Sequence, residues 1–516
     1  MQAEKIEDFG KWRSFFWPIH RRELGKFLPM FFMFFLISFN YNVLRSYKDT
    51  IVITATHAGA EALPFIKVWA VLPAAVLITL LFTRLNRYFN REKVFYIMVS
   101  LFICFFLLFA FVLYPAQEYL HPNEFADKLQ TFLPSGAKGF IAIFRNWTYT
   151  LFYVMSELWS TAIFSVLFWG FANEVTKVDE AKRFYGLLAT GGNIAGIFSG
   201  QAAFYFSGDL FVSWIPYGKT SWDQSILFVT CALTLSSFLI LGLFRWLNVN
   251  VIREEELAIG KKSERIRLSM RENFTYLIRS KYLICIALIV LAYNVAMNLV
   301  EIVWKNQMKE LYPNPAEYNT YMGQVMTAMG IIATIAGVLA TGNLIRRYSW
   351  AVCAMIPLLV VGSTGLAFFA FGLSDHWGMS WIVGMTGMTP MILGVTLGSI
   401  QNCMSRASKY TFFDATKEIA FIPLSNQSKL KGKAAIDGVA SRLGKSGGSI
   451  IHQGLLIAFA TVSASAPYVA GIFLVVLLIW GLSIVSLGKQ FDELVAENAK
   501  LEIPEKPPKE LAVTSQ

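Results

Sequence analysis

Twelve stretches of this chain are apolar for long enough to cross a lipid bilayer, and that leaves few folds open. They fall near residues 28–50, 66–83, 94–114, 146–172, 184–206 and 225–247, then near 282–304, 322–345, 350–372, 381–405, 436–460 and 467–487. In hydrocarbon every backbone N–H and C=O must be satisfied within the protein, which at these lengths only helices achieve. The expected fold is all-α, with twelve transmembrane helices in two pseudo-symmetric six-helix bundles. Composition excludes the soluble alternative, since 55% of the residues are hydrophobic and only 15% are charged. A net charge of +11 could suggest nucleic acid as a partner. The basic residues cluster instead in short stretches between apolar runs, as bilayer topology requires, so no nucleic-acid role is expected.

Those basic residues orient the chain. Arg84, Arg87, Arg91 and Lys93 follow the second run, Lys177, Lys182 and Arg183 the fourth, and Arg346 and Arg347 the eighth. Intervening loops on the other side are poorer, with Lys128, Lys138 and Lys219, and with Lys305 and Lys309 after the seventh run. Both termini are thereby assigned to the cytoplasm. The start of the chain is charged before any apolar run, so no cleavable signal is expected. The resulting parts are a cytoplasmic N-terminus (1–27), a first bundle (28–247), a basic linker (248–281), a second bundle (282–488) and a tail (489–516). The tail's Pro, Lys and Glu content predicts disorder.

The two sets of six read as copies. Tyr41-Asn-Val recurs as Tyr293-Asn-Val, 252 residues on. At that same offset Asp49 falls on Glu301, Gly192 on Gly444, Gly196 on Gly448 and Asn193 on Lys445. Two halves in the same orientation describe a transporter built on a parallel repeat, of which the major facilitator fold is the leading example, with its substrate site at the midplane between the halves.

Charge inside an apolar run costs about 2.5–3.5 kcal/mol per residue near the helix centre, so each such residue needs a reason. In the first run Ser38, Asn42, Arg45 and Asp49 share a helix face with Lys48 beside it. Glu157 lies deep in the fourth run. In the seventh, Asn294, Asn298, Glu301 and Lys305 recur at i, i+4, i+7 and i+11, one face that is expected to line a cavity. Lys305 can alternatively snorkel from the helix end. Arg442 and Lys445 open the eleventh run within Asp437-Gly-Val-Ala-Ser-Arg-Leu-Gly-Lys-Ser-Gly-Gly. This is not a phosphate-binding loop, because five residues separate Gly438 from Gly444 where four are needed and no strand precedes it. Its glycines are expected to serve close helix packing. Lys409, Asp414, Lys417 and Glu418 read as a solvated cytoplasmic extension of the tenth run. The five cysteines and the histidines show no metal-ligand spacing. Several cations around one midplane site fit a multiply charged anion, in the way Arg and Lys take phosphate.

At these residues the chain resembles the nucleotide transporter family, the ATP/ADP translocases of plastids and obligate intracellular bacteria. The resemblance runs from about Phe27 to Lys489. It is most specific at Leu44-Arg-Ser-Tyr-Lys-Asp-Thr, Ser156-Glu157-Leu-Trp, Asn298-Leu-Val-Glu301-Ile-Val-Trp-Lys305 and Lys431-Gly-Lys-Ala-Ala-Ile-Asp with Arg442-Leu-Gly-Lys445-Ser-Gly-Gly. It implies exchange of external ATP for internal ADP, with or without phosphate, across a bacterial inner membrane, with no energy source beyond the nucleotide gradients. No cofactor or metal is expected, and the protein is expected to work as a monomer. The family's two functional lysines and two functional glutamates match Lys48, Lys445, Glu157 and Glu301. Arg45, Arg442, Asn298 and Asn193 complete the candidate site. Two other functions remain open. One is a proton-coupled importer of other nucleotides or NAD, in which Glu157 or Glu301 titrates. The other is a membrane-embedded enzyme acting on a lipid phosphate, for which no Asp/His cluster is visible.

Overall fold

The computed structural model describes residues 17–208, 211–252, 280–340, 348–373, 384, 387–425, 428–429, 432–433, 436 and 441–501. No strand occurs among them. The first long helices are α1 (Leu24–Ile53), α2 (Ala62–Tyr88), α3 (Arg91–Leu113), α4 (Trp147–Val175), α5 (Val178–Ser207) and α6 (Ser221–Val251). They are followed by α7 (Lys281–Leu311), α8 (Pro315–Ala340), α9 (Trp350–Gly372), α10 (Pro390–Ser408, continuing through Ala420), α11 (Ser441–Phe459) and α12 (Val462–Leu501). Eight of these (α1–α4, α6, α7, α9 and α12) are long and apolar enough to cross a membrane. Three short helices between α3 and α4 cover one end of the molecule.

The repeat is visible in the packing. α1 packs on α4, α5 and α6, and α7 packs on α10, α11 and α12, the positions six further along. α3 meets α6 as α9 meets α12. Small residues make the central contacts close. A Cβ on Gly444 would lie 2.8 Å from that of Asn294, and one on Gly448 would lie 2.7 Å from that of Asn298, so bare glycines let α11 lie against α7. Across the middle, α5 packs along α8 and α2 approaches α11.

Two expectations are corrected. The tenth run was placed at 381–405, whereas α10 starts at Pro390 and stays helical to Ala420. Its start is set by chemistry the hydropathy profile ignores. Gly387 turns the chain at φ +66°, Thr389 accepts the Ile392 N–H at 3.3 Å, and proline occupies the first turn. The tail, expected to be disordered from 489, is helical through Leu501, and residues 502–516, the rest of that expectation, lie outside the described residues. Most of the basic linker (253–279) lies outside the described residues; 248–252 extend α6.

Candidate functional site

A cavity of 440 Å³ lies between the two repeats, lined from α1, α2 and α4 on one side and α7, α10 and α11 on the other. It is shut at the end where α1 stops and α2 starts. There Gln453 Nε2 donates to the Pro64 carbonyl at 2.9 Å, Trp69 Nε1 donates to Gln453 Oε1 at 3.2 Å, and Lys309 donates to the Ala58 carbonyl at 2.6 Å. Gly136 lies against the α11 backbone at Leu456 and Ile457. Toward the opposite end exposure rises. Lys48 is 6% exposed, Glu301 15%, Lys409 31% and Asp414 40%. The cavity therefore opens at the end where α1 and α7 begin.

Two helix faces build its floor. On α1, Lys48 Nζ reaches Asp49 Oδ1 at 3.1 Å and Glu157 Oε2 of α4 at 3.3 Å, and sits 3.8 Å over the Tyr153 ring. On α7, Lys305 Nζ donates to Asp49 Oδ2 at 2.8 Å and to Glu301 Oε1 at 2.9 Å. Glu301 also draws Arg45 at 3.5 Å and Arg406 of α10 at 3.6 Å. Asp49 and Glu301, which align in the repeat, thus share one ammonium, and the bridges Asp49–Lys305 and Arg45–Glu301 both cross between the halves. Asp49 and Lys305 are each 2% exposed. At such burial an ion pair survives because each charge would be far costlier alone.

The structure brings most of the sequence-derived candidates together. Arg45, Lys48, Glu157, Asn298, Glu301 and Lys445 all line the cavity, as does the whole α7 face from Asn294 to Lys305. Lys305 is an interior partner and not a snorkelling end residue. Asn193 is not part of the lining. It sits on α5 with its carbonyl against Gly330 of α8. Arg442 falls in the first turn of α11, and its side chain lies outside the described residues. Ser38 and Asn42 do not reach the cavity. Lys409, Asp414 and Lys417, expected on a solvated extension, line the cavity because α10 does not end where its apolar run does.

Two further cations escaped the sequence reading. Arg406 was legible in principle: Asn402, Arg406, Lys409 and Phe413 repeat the i, i+4, i+7, i+11 spacing already noticed on α7. Lys67 gave no such signal, since it stands alone at the edge of its apolar run. Both it and Lys409 lie in segments wound as π-helix, Lys67–Val71 and Lys409–Phe413, and Ser160–Phe168 of α4 is a third such segment on the wall. Wide turns of this kind redirect side chains and recur at functional sites.

Comparison with known proteins gives this geometry a context. Residues 2–491 match the family model described as TLC ATP/ADP transporter. The chain is 44% identical over 503 residues to ADP,ATP carrier protein 1 of Chlamydia trachomatis serovar D, covering 96% of this chain and 94% of that one. It is 40% identical over 491 residues to the plastidic ATP/ADP-transporter of Solanum tuberosum, covering 93% of this chain and 76% of that one. In fold it is similar to the crystal structure of a bacterial homologue of the iron transporter ferroportin in an inward-facing state, with a TM-score of 0.53 at 15% identity over 91% of this chain and all of that one.

Proposed function

The chain belongs to the TLC ATP/ADP transporter family, and on that premise we propose that it exchanges external ATP for internal ADP by alternating access, as a monomer. All twelve long helices span the bilayer in two bundles of six, with both termini in the cytoplasm of a bacterial cell and the protein in its inner membrane. The Lys and Arg asymmetry of the loops supports that orientation. With it, the cavity opens to the cytoplasm.

One observation carries the reading. Eight cations and four carboxylates line the cavity, an excess of four positive charges. A nucleoside di- or triphosphate brings comparable negative charge, and Lys and Arg in a partly dehydrated site bind phosphate oxygens strongly. In the empty protein the carboxylates hold the cations in place and limit their desolvation cost. Incoming phosphates compete with Glu157 and Asp49 for Lys48, and with Glu301 for Arg45. The bridges between the halves then loosen, and the closed end is freed to open. An empty site keeps those bridges and does not change face readily, so each crossing requires a nucleotide. That is what makes exchange obligatory.

The test expresses the protein in bacteria loaded with labelled ATP and then adds unlabelled nucleotide outside. Efflux prompted by ADP or ATP, and not by other nucleotides or by buffer, is the expected result. Uptake that needs no internal nucleotide and accelerates with an acid-outside pH gradient would establish proton-coupled import instead.

A further inference from the structure

Of the eight cations in the cavity, six are held by carboxylates. Arg45 and Arg406 are held by Glu301, Lys48 by Asp49 and Glu157, and Lys305 by Asp49 and Glu301. Lys409 pairs with Asp414 and Lys417 with Glu418. The side chains of the remaining two, Lys67 and Lys445, make no ion pair or hydrogen bond among the described residues. They come from opposite halves, on the two helices that approach each other across the middle, α2 and α11.

Their relative level is set by Gln453. It bonds Pro64 and Trp69, the residues that bracket Lys67, so Gln453 and Lys67 share one depth at the closed end. Lys445 lies eight residues earlier on the same helix as Gln453, which at helical rise is about 12 Å nearer the open mouth. Two unpartnered ammonium groups, on facing helices and separated along the axis, describe a track that suits a chain of phosphates better than a single one. A paired cation must give up a carboxylate before it can take a phosphate. An unpaired one only sheds water.

We propose that Lys67 is a substrate-binding residue of this transporter, and that the polyphosphate lies lengthwise between Lys67 at the deep end and Lys445 at the mouth. Lys48 is engaged second, when the phosphates displace its carboxylates. Lys67 thereby reads phosphate number, since only a long enough chain touches both ends of the track. This inference rests on the exchange reading of the same cavity.

Equilibrium binding of ATP, ADP and AMP to the purified full-length protein tests it, alongside Lys67→Gln and Lys67→Arg. Losing one charge-assisted contact should weaken ATP binding to Lys67→Gln by about tenfold or more, ADP binding by less and AMP binding hardly at all. Lys67→Arg should keep ATP within about threefold of wild type, because it keeps the charge. Unchanged ATP affinity in Lys67→Gln would overturn the proposal, and so would equal weakening for all three nucleotides, the mark of a merely structural role. Binding is read apart from transport. A wild type that binds ATP without exchanging it would therefore defeat the exchange reading and leave the Lys67 comparison standing. A wild type that binds no ATP would overturn both.

Discussion

At the scale of single residues, burial grades the ion pairs that line the cavity. Lys305 and Asp49 are sealed from solvent and satisfy each other, and Lys305 also serves Glu301. Lys305→Met leaves Asp49 with Lys48 alone and strands part of a buried charge. The expected loss is about 3–5 kcal/mol of stability, seen as a lowered unfolding midpoint of the detergent-solubilised protein. Glu157 is 31% exposed, with Lys48 as its one ion-pair partner among the described residues. Glu157→Gln should therefore change stability by under about 1 kcal/mol while slowing exchange severely, because Lys48 loses one of the two carboxylates that orient it. The sequence made Lys48, Glu157, Glu301 and Lys445 legible because a charge in an apolar run has no cheap explanation. Lys67 was illegible for the converse reason, since a lone lysine at the edge of a run is what any helix end carries. Asn193 shows the limit of repeat arithmetic. Its alignment with Lys445 is real in sequence, but its turn of α5 faces α8 and not the cavity.

At the scale of helices, contact distance decides what α5 and α8 can do. A Cβ on Gly323 would lie 2.7 Å from the Gly200 carbonyl and 2.8 Å from the Phe204 amide, both backbone atoms that cannot step aside. Gly323→Val should destabilise the fold by roughly 1–3 kcal/mol through overpacking, measurable as a fall in unfolding midpoint. Most helix positions followed from hydropathy alone, and α9 coincides with its apolar run at 350–372. The misplaced helix, α10, is the one whose ends are marked by other signals: the Thr389–Pro390 start and a polar, cavity-facing second half. A helix that lines water reads as a loop when only apolarity is scored.

At the scale of the whole molecule, one end is latched and the other open, and the latch joins α2 and the turn near Gly136 to α11. Cysteines replacing Trp69 and Gln453, whose side chains meet at 3.2 Å across the latch, in a chain whose exposed Cys104 and Cys231 have been changed to serine, should be bridged by a short bis-methanethiosulfonate reagent that holds that end shut. Exchange should stop, ATP binding from the open end should persist, and reduction should restore transport. Cross-linked protein that still exchanges would show that the closed end need not open. The most direct measurement of the central claim uses the purified wild-type protein in liposomes with no pH gradient, comparing labelled ATP uptake into vesicles loaded with ADP and into empty ones. The cavity described here predicts rapid uptake into loaded vesicles, one nucleotide entering for each that leaves, and none into empty ones. Equal uptake into empty vesicles would contradict it.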